Sequence, residues 1–355
     1  MSEVQTLPPR PRPAAPLEYP VEAPAPDGSV VEVAPGVLWA RMPMPMGLDH
    51  VNVYLLRAPQ GWTLVDTGLN SDTTRALWEH IERHHLDGLP VQALVCTHWH
   101  YDHAGLAHWL TERHGVPLYM THGEYYTMHA HASRPLEPLP AARQSFYQRS
   151  GMPAERVERM FAGLRRDPFM PPMPGAFRRL RAGGVLDIGT RRWRVVIGEG
   201  HSPEHACLYS AEDRILLAGD QLLPRISSNV LVTDTEPDAD PLQLWFESLA
   251  RLEQLAPGTL VLPSHHGVFR GLHARTRELR DHHERQFDRL RGLVREQGAC
   301  TAHEAMLALF PRLRGPVDDM LALGEATAHL SWLRHAGELV RVLDPDGIYR
   351  FGMPA

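Results

Sequence analysis

The chain has 355 residues, with 36 basic and 42 acidic side chains and a formal net charge of −6. Every basic residue is arginine, which excludes lysine Schiff-base chemistry and a phosphate-loop lysine, and the mild acidity gives no electrostatic reason to seek nucleic acid. Three scattered cysteines, Cys96, Cys207 and Cys300, form no disulfide framework; no apolar run reaches the roughly 18 residues of a membrane span and no hydrophobic leader opens the chain, so the expectation is a cytoplasmic protein without a membrane partner.

Residues 1–27 carry eight prolines and little apolar periodicity, which predicts an extended, disordered arm. From Ser29 onward, short apolar runs separated by turn residues read as strands: Val30 to Val33, Val37 to Arg41, Val51 to Leu56 and Trp62 to Val65. Ser71 is a suitable N-cap for a helix to His84 that turns Leu77 and Ile81 inward. The strand Val91 to Cys96 follows, and then a helix from about His103 to His114. Strands alternating with helices imply a layered α/β domain.

Between that strand and helix lies the densest chemistry in the chain. Thr97-His98-Trp99-His100-Tyr101-Asp102-His103 places three histidines and an aspartate within six residues, at the spacing H-x-H-x-D-H. Imidazole nitrogen and carboxylate oxygen are favoured ligands for zinc and other borderline divalent ions. In a loop at a strand end, His98 and His100 can face one side while Asp102 and His103 face another, enough to hold two ions. The competing reading is a histidine-rich surface turn.

This run resembles the signature of the metallo-β-lactamase fold hydrolases, and specifically a glyoxalase II-like branch with a C-terminal winged helix. The resemblance implies a four-layer αβ/βα sandwich, and further strand ends fit it. Gly200-His201-Ser202-Pro203-Glu204-His205 follows one apolar run, Ala218-Gly219-Asp220 ends another, and Leu262-Pro263-Ser264-His265-His266-Gly267 ends a third. The resemblance assigns His98, His100 and His201 to one ion and Asp102, His103 and His265 to the other, with Asp220 bridging. His205 matches a histidine that is structural in the family. His265 and His266 compete for the last ligand position, and the spacing from Pro263 favours His265. Asp66, in the motif Val65-Asp66-Thr67-Gly68, either caps its turn or, as the resemblance implies, orients the ligands from behind.

Zinc is the expected metal, with manganese or iron as alternatives. His100 stands where relatives with di-iron redox chemistry carry glutamate. Two cations about 3.5 Å apart bring a shared water toward ionisation at neutral pH and polarise the bond attacked, while Asp102 receives a proton or steers the nucleophile. No serine nucleophile is needed, and Gly-x-Ser-x-Gly does not occur.

Residues 121–181 interrupt the strand pattern with prolines, methionines, aromatics and helical text such as Ala154 to Leu164. They read either as a solvated helical insertion or as an arginine-rich cap that attracts an anionic substrate. Strands resume at Gly184 to Ile188, Trp193 to Ile197, Ala206 to Tyr209 and Arg214 to Leu217. The long loop Gln221 to Asp240 offers Arg225, Ser227, Ser228 and Asn229 as substrate-binding candidates.

After Gly271 come helices over Leu272 to Gln297, Thr301 to Phe310 with a capping box, and Pro316 to Ala336, then a hairpin from Glu338 to Phe351. This pattern is winged-helix-like. Residues 272–355 carry 12 arginines and 12 acidic residues, which favours packing or homodimerisation over nucleic-acid binding. The division expected is therefore an arm over 1–27, a hydrolase domain over 28–271 and a winged-helix-like domain over 272–355. The activity expected is hydrolysis of an acyl bond, thioester or lactone, in a small anionic substrate. The alternatives are a metal-dependent phosphodiesterase or endoribonuclease, and a non-catalytic regulator with a structural metal site.

Overall fold

The structure, a computed structural model, describes residues 17–45, 47–133, 140–166, 172–313 and 315–354. Its first half forms β1 (Val30–Ala34), β2 (Val37–Pro43), β3 (His50–Ala58), β4 (Gly61–Val65), α1 (Asp72–His85), β5 (Val91–Val95), α2 (Tyr101–Ala104), α3 (Ala107–His114) and β6 (Leu118–Thr121). The insertion supplies α4 (His122–Ser133), α5 (Ala141–Arg149) and α6 (Ala154–Arg166). It is followed by β7 (Arg178–Leu180), β8 (Val185–Ile188), β9 (Arg191–Gly198), β10 (His205–Ser210), β11 (Ile215–Gly219), α7 (Pro241–Leu252), β12 (Leu260–Pro263) and β13 (Phe269–Arg270). The chain closes with α8 (Leu272–Gln297), β14 (Ala299–Cys300), α9 (Ala302–Leu309), α10 (Pro316–His335), β15 (Val340–Leu343) and β16 (Tyr349–Gly352).

Among the described residues, β1 to β7 lie in sequence order in one seven-stranded sheet, and β13-β12-β11-β10-β9-β8 form a second. The two pack face to face through a core that includes Trp39, Tyr54, Val95, Trp193, Leu208 and Leu262. Helices cover the outer faces: Trp78 and Ile81 of α1 bury against the first sheet, and Trp245 and Leu249 of α7 against the second. This is the four-layer αβ/βα sandwich. Ser71 caps α1 as its sequence suggests, accepting from the Thr74 amide; Leu77 and Ile81 face the core as expected, Leu77 partly buried, and Trp78 is buried with them.

Three expectations change. The helix expected from His103 to His114 is two helices, because Thr67 Oγ1 donates to the His103 carbonyl at 3.0 Å and accepts from the Leu106 amide at 3.0 Å, taking both groups out of a continuous helical ladder. The short strands β6 and β7 bracket the insertion and add to the first sheet. The arm is ordered over its described part. Glu18 exchanges two backbone hydrogen bonds with Arg270, at 3.2 and 2.8 Å, extending the β13 edge; residues 1–16 lie outside the described residues.

The insertion divides: α4 packs on the first sheet, whereas α5 and α6 dock on the C-terminal unit and the loop over 221–240. Arg156 of α6 holds Asp319 of α10 through two bonds of 2.7 and 2.6 Å, and Arg143 pairs with Asp234 at 3.1 Å. These two cap arginines are already neutralised by partners, which lowers the charge available to attract an anion. In the C-terminal unit, β14 joins the hairpin in a sheet ordered β14-β16-β15, and the Thr301/Glu304 capping box opens α9. No helix among the described residues is long and apolar enough to cross a membrane.

Replacing Arg156 with alanine removes a bidentate, partly buried pair, and is expected to cost about 1 kcal/mol of stability. Hydrogen exchange should accelerate in α6, with α1 unchanged; equal protection in α6 would mean that apolar packing alone holds the cap.

Candidate metal centre

The ends of β4, β5, β9, β11 and β12 and the loops after them converge at one edge of the sandwich. The anchor is Asp66, which follows β4 with a left-handed backbone, φ 62°. Its carboxylate accepts from the Thr97 amide at 2.8 Å, the Thr97 hydroxyl at 2.9 Å and His103 Nδ1 at 2.9 Å. A buried carboxylate with three donors is well satisfied, and it fixes the loop after β5. Asp66 thus stands behind the histidines rather than merely capping its turn.

The Nδ1 hydrogens of four imidazoles are spent in the same way. His103 donates to Asp66, His201 to the Asn229 carbonyl at 2.7 Å and His265 to the His50 carbonyl at 2.8 Å. Because the Thr97 hydroxyl gives its proton to Asp66, His98 Nδ1 donates to the Thr97 oxygen, 3.1 Å away. A neutral imidazole whose Nδ1 carries the proton presents Nε2 as a lone pair.

Those lone pairs face one another. His98 Nε2 is 2.9 Å from His100 Nδ1 and 3.2 Å from His201 Nε2. His98, His100, His201 and Asp220 offer ligand atoms within 4.8 Å of one another, and so do Asp102, His103 and His265. Asp220 lies between the two groups: Oδ2 is 3.5 Å from His201 Nε2 and 3.7 Å from His103 Nε2, and Oδ1 is 3.4 Å from His265 Nε2. His103 Nε2 and Asp220 Oδ1 are buried without a hydrogen-bond partner among the described residues. Convergent imidazole lone pairs, two carboxylates and orphaned buried atoms are the donor set of a site for divalent cations.

The electrostatics agree. Burial, reinforced by His201, pushes His100 down to about 3. Burial opposes the charging of His265, yet Asp220 and Asp102 raise it to about 10. The same carboxylates raise His103 against burial. Without cations, the pair of carboxylates draws protons onto the imidazoles beside it.

His205 is not in either group. Its ring stacks on His98, centroids 4.8 Å apart, and its Nε2 accepts the Asp220 amide at 3.1 Å. Gly219, at φ 54°, makes room for it, since a Cβ there would sit 2.4 Å from the ring. Gly200 is needed similarly: at φ 95°, its Cβ would lie 2.4 Å from the Pro241 carbonyl. His266, at φ 66°, turns away from both groups, and burial together with His265 lowers it to about 4.

The loop candidates separate. Ser228 is buried and donates to the Asp220 carbonyl, Asn229 holds His201 through its carbonyl, and Ser227 hydrogen-bonds His283 at 3.0 Å. These bonds run to the site's framework, and Ser227 and Asn229 are half-buried beside it. Arg225 is exposed, with its guanidinium over Tyr19. Glu124, of α4, escaped the sequence reading: it is buried, burial raises it to about 7, and it accepts from Ser202 Oγ at 2.6 Å and the Glu204 and Trp99 amides at 2.7 and 3.0 Å. Asn52 also escaped, bonding the Pro263 and His266 carbonyls at 2.7 and 3.0 Å. Neither carries a local sequence signal, because each acts on a loop far away in the chain.

With this geometry in view, the comparisons with known proteins are specific. Residues 46–265 match the model of the metallo-β-lactamase superfamily, and residues 288–354 match a metallo-β-lactamase-like C-terminal domain. The chain belongs to the metallo-β-lactamase superfamily and is a metallo-hydrolase of that group. A crystal structure of a beta-lactamase domain protein from Burkholderia ambifaria superposes with TM-score 0.88 at 43% identity, covering 95% of this chain and 98% of that one. The protein named probable metallo-hydrolase YqjP of Bacillus subtilis is 26% identical over 323 residues, 88% of this chain and 97% of its own. The atrochrysone carboxyl ACP thioesterase of Aspergillus fumigatus is 22% identical over 288 residues, 78% of this chain and 73% of its own.

His265→Ala should lower the metal content read by mass spectrometry, whereas His266→Ala should leave it unchanged; the reverse result would place the wrong histidine at the centre. Asp66→Asn, which offers an amide where His103 and Thr97 need an acceptor, is expected to weaken metal binding roughly tenfold to a hundredfold.

Proposed function

We propose that this protein is a dinuclear zinc hydrolase that cleaves an acyl bond, a thioester first and a lactone second, in a small anionic substrate. The observation that carries the reading is Asp220 standing between two groups of inward-facing lone pairs. His98, His100 and His201 would hold one ion and Asp102, His103 and His265 the other, with Asp220 placed between the two groups. Two divalent cations held in this way supply Lewis acidity toward the carbonyl oxygen and bring water toward ionisation near neutral pH.

The chain's own residues then have distinct tasks. Asp102 has Oδ2 3.3 Å from His103 Nε2 and 3.4 Å from His265 Nε2. Burial opposes its ionisation, but His103 and His265 hold its carboxyl well below the usual carboxylate range. With cations in place of the protons on His103 and His265, it would steer the attacking water and accept its proton. Asp66, His205 and Glu124 keep the ligands in register while the bond breaks. Trp99, half-buried and stacked on His131 at 4.3 Å, gives the mouth an apolar wall for an acyl or ring portion.

An anionic substrate is supported by Arg225, an exposed cation on the loop that carries Ser228 and Asn229. A small molecule is supported over nucleic acid by the fate of α10, the helix that a winged helix would use for reading. Its residues Leu323, Gly324, Ala326, Thr327 and Leu330 are buried in the protein, so its C-terminal half packs as core and is not presented to a groove. The thioesterase among the relatives makes the thioester the first acyl bond to test.

The test is a turnover screen of zinc-loaded protein against acyl-CoA, glutathione thioesters, a lactone and a generic phosphodiester. Acyl substrates should turn over, and Asp220→Ala should reduce kcat by roughly a thousandfold or more. Phosphodiester turnover alone would replace the proposed substrate class; full activity in the variant would remove the two-ion reading.

A further inference from the structure

The loop over 221–240 has no regular secondary structure, so its buried peptide groups must find partners elsewhere. They find them in the C-terminal unit. Arg275 of α8, buried, donates Nε to the Leu223 carbonyl at 2.6 Å and Nη2 to the Ile226 carbonyl at 2.7 Å. The Val232 amide donates to the Gly324 carbonyl of α10 at 3.1 Å, and Ser331 Oγ donates to the Ala239 carbonyl at 2.6 Å. Gly324 permits this approach, since a Cβ there would lie 3.1 Å from Leu231.

A second set of contacts runs from the same loop into the metal centre. Ser228 holds the Asp220 carbonyl and Asn229 holds His201. Ser227, next to Ser228, begins a chain of hydrogen bonds that runs into the buried interior. Ser227 Oγ is 3.0 Å from His283 Nε2, His283 Nδ1 is 2.9 Å from His329 Nε2, and His329 Nδ1 is 2.8 Å from the Glu325 carbonyl. A carbonyl only accepts, so His329 carries its proton on Nδ1 and accepts at Nε2. His283 therefore donates from Nδ1 and accepts the Ser227 hydroxyl at Nε2. Burial holds both imidazoles well below the usual histidine range, which keeps the chain neutral. Only one arrangement of protons satisfies every member, and a buried network satisfied in one way is rigid.

We infer that the C-terminal unit is a working part of the metal centre: Arg275 and the Ser227–His283–His329 chain are positioning residues that hold His201 and Asp220 in place through the 221–240 loop. The inference rests on the proposed two-ion reading and extends it beyond the hydrolase domain. Two faces of the unit converge on the loop, so tilting α8 or α10 displaces Ser228 and Asn229 together. His201 then loses the acceptor that fixes its ring, and Asp220 the hydroxyl that fixes its carbonyl.

The experiment compares full-length wild type, Ser227→Ala, His283→Ala, His283→Gln and Arg275→Lys, with Arg156→Ala as a control that touches the C-terminal unit but not the loop. Zinc affinity is measured by competition with a chromophoric chelator, alongside the melting temperature and the separate values of kcat and KM. Zinc affinity and kcat should fall roughly tenfold in His283→Ala and Arg275→Lys, with KM little changed and a smaller fall in Ser227→Ala. His283→Gln, whose amide oxygen still accepts from Ser227, should recover part of the loss, and Arg156→Ala should change neither value. If His283→Ala does not fold, Ser227→Ala and Arg275→Lys decide the matter. Variants with a lowered melting temperature but wild-type zinc affinity and kcat would overturn the inference while leaving the two-ion reading intact. A wild type that takes up no zinc would overturn that reading, and this inference with it.

Discussion

The Nδ1 protons of His98, His103, His201 and His265 go to the Thr97 oxygen, the Asp66 carboxylate and two backbone carbonyls. A neutral ring has no second proton, so each Nε2 is left as a bare lone pair aimed at its neighbours. Asp102 and Asp220 add two negative charges to the same buried volume. Such a cluster is expensive to keep dry and unbalanced. The carboxylates can be compensated by protons on His103 and His265, which is the direction in which both are driven, or by cations on the lone pairs. The two solutions exclude each other, so metal binding at this centre releases protons and weakens as the pH falls.

The acceptors that fix these rings come from different parts of the sandwich. Asp66 follows β4, the His50 carbonyl opens β3 in the first sheet, and the Asn229 carbonyl comes from the loop after β11 in the second. Direct bonds across the seam join the sheets at this end: the Ala206 amide reaches the Thr97 carbonyl at 2.8 Å, and Tyr54 reaches the Pro263 carbonyl at 2.8 Å. The site is therefore assembled by the packing of the sheets rather than by any one loop. Left-handed backbone collects in the same place: Gly200, Gly219 and His266 each adjoin a ligand in the chain, and Asp66 is hydrogen-bonded to His103.

What could be read in the sequence follows from this division. The ligands themselves are legible because H-x-H-x-D-H concentrates rare chemistry in six residues, and because His201, Asp220 and His265 follow apolar runs that mark strand ends. Longer strands and helices are legible from periodicity and caps, as with Ser71 and Thr301. The strands β6 and β7 are not, since one has four residues and the other reads Arg178-Arg179-Leu180. Neither is the break at Gly105–Leu106, because its cause is a hydroxyl on Thr67. Glu124, Asn52 and the His50 carbonyl act on segments that are distant in the chain and become visible only after folding. Ser227, Ser228 and Asn229 lie near the centre as their position suggested, but their bonds run to Asp220, His201 and His283. Polar loop residues beside a site serve its framework as readily as its ligand, and composition does not separate the two.

The C-terminal unit shows the same limit at the level of a whole module. Its order of helices followed by a hairpin suggests a nucleic-acid reader, and its balanced charge argues against one. Packing supplies the reason for the neutrality. The polar atoms of α8 and α10 that meet the hydrolase domain are matched to carbonyls and amides of an irregular loop, which asks for hydrogen bonds and not for a field. A strongly basic face would have set those carbonyls in competition with the acidic residues around them for the same guanidinium donors. Arg275 is the exception that fits the pattern, a single buried guanidinium whose planar fork spans two carbonyls in a way that an ammonium cannot. With the inner side of the loop so committed, its one cation, Arg225, is left exposed on the outer side, over Tyr19.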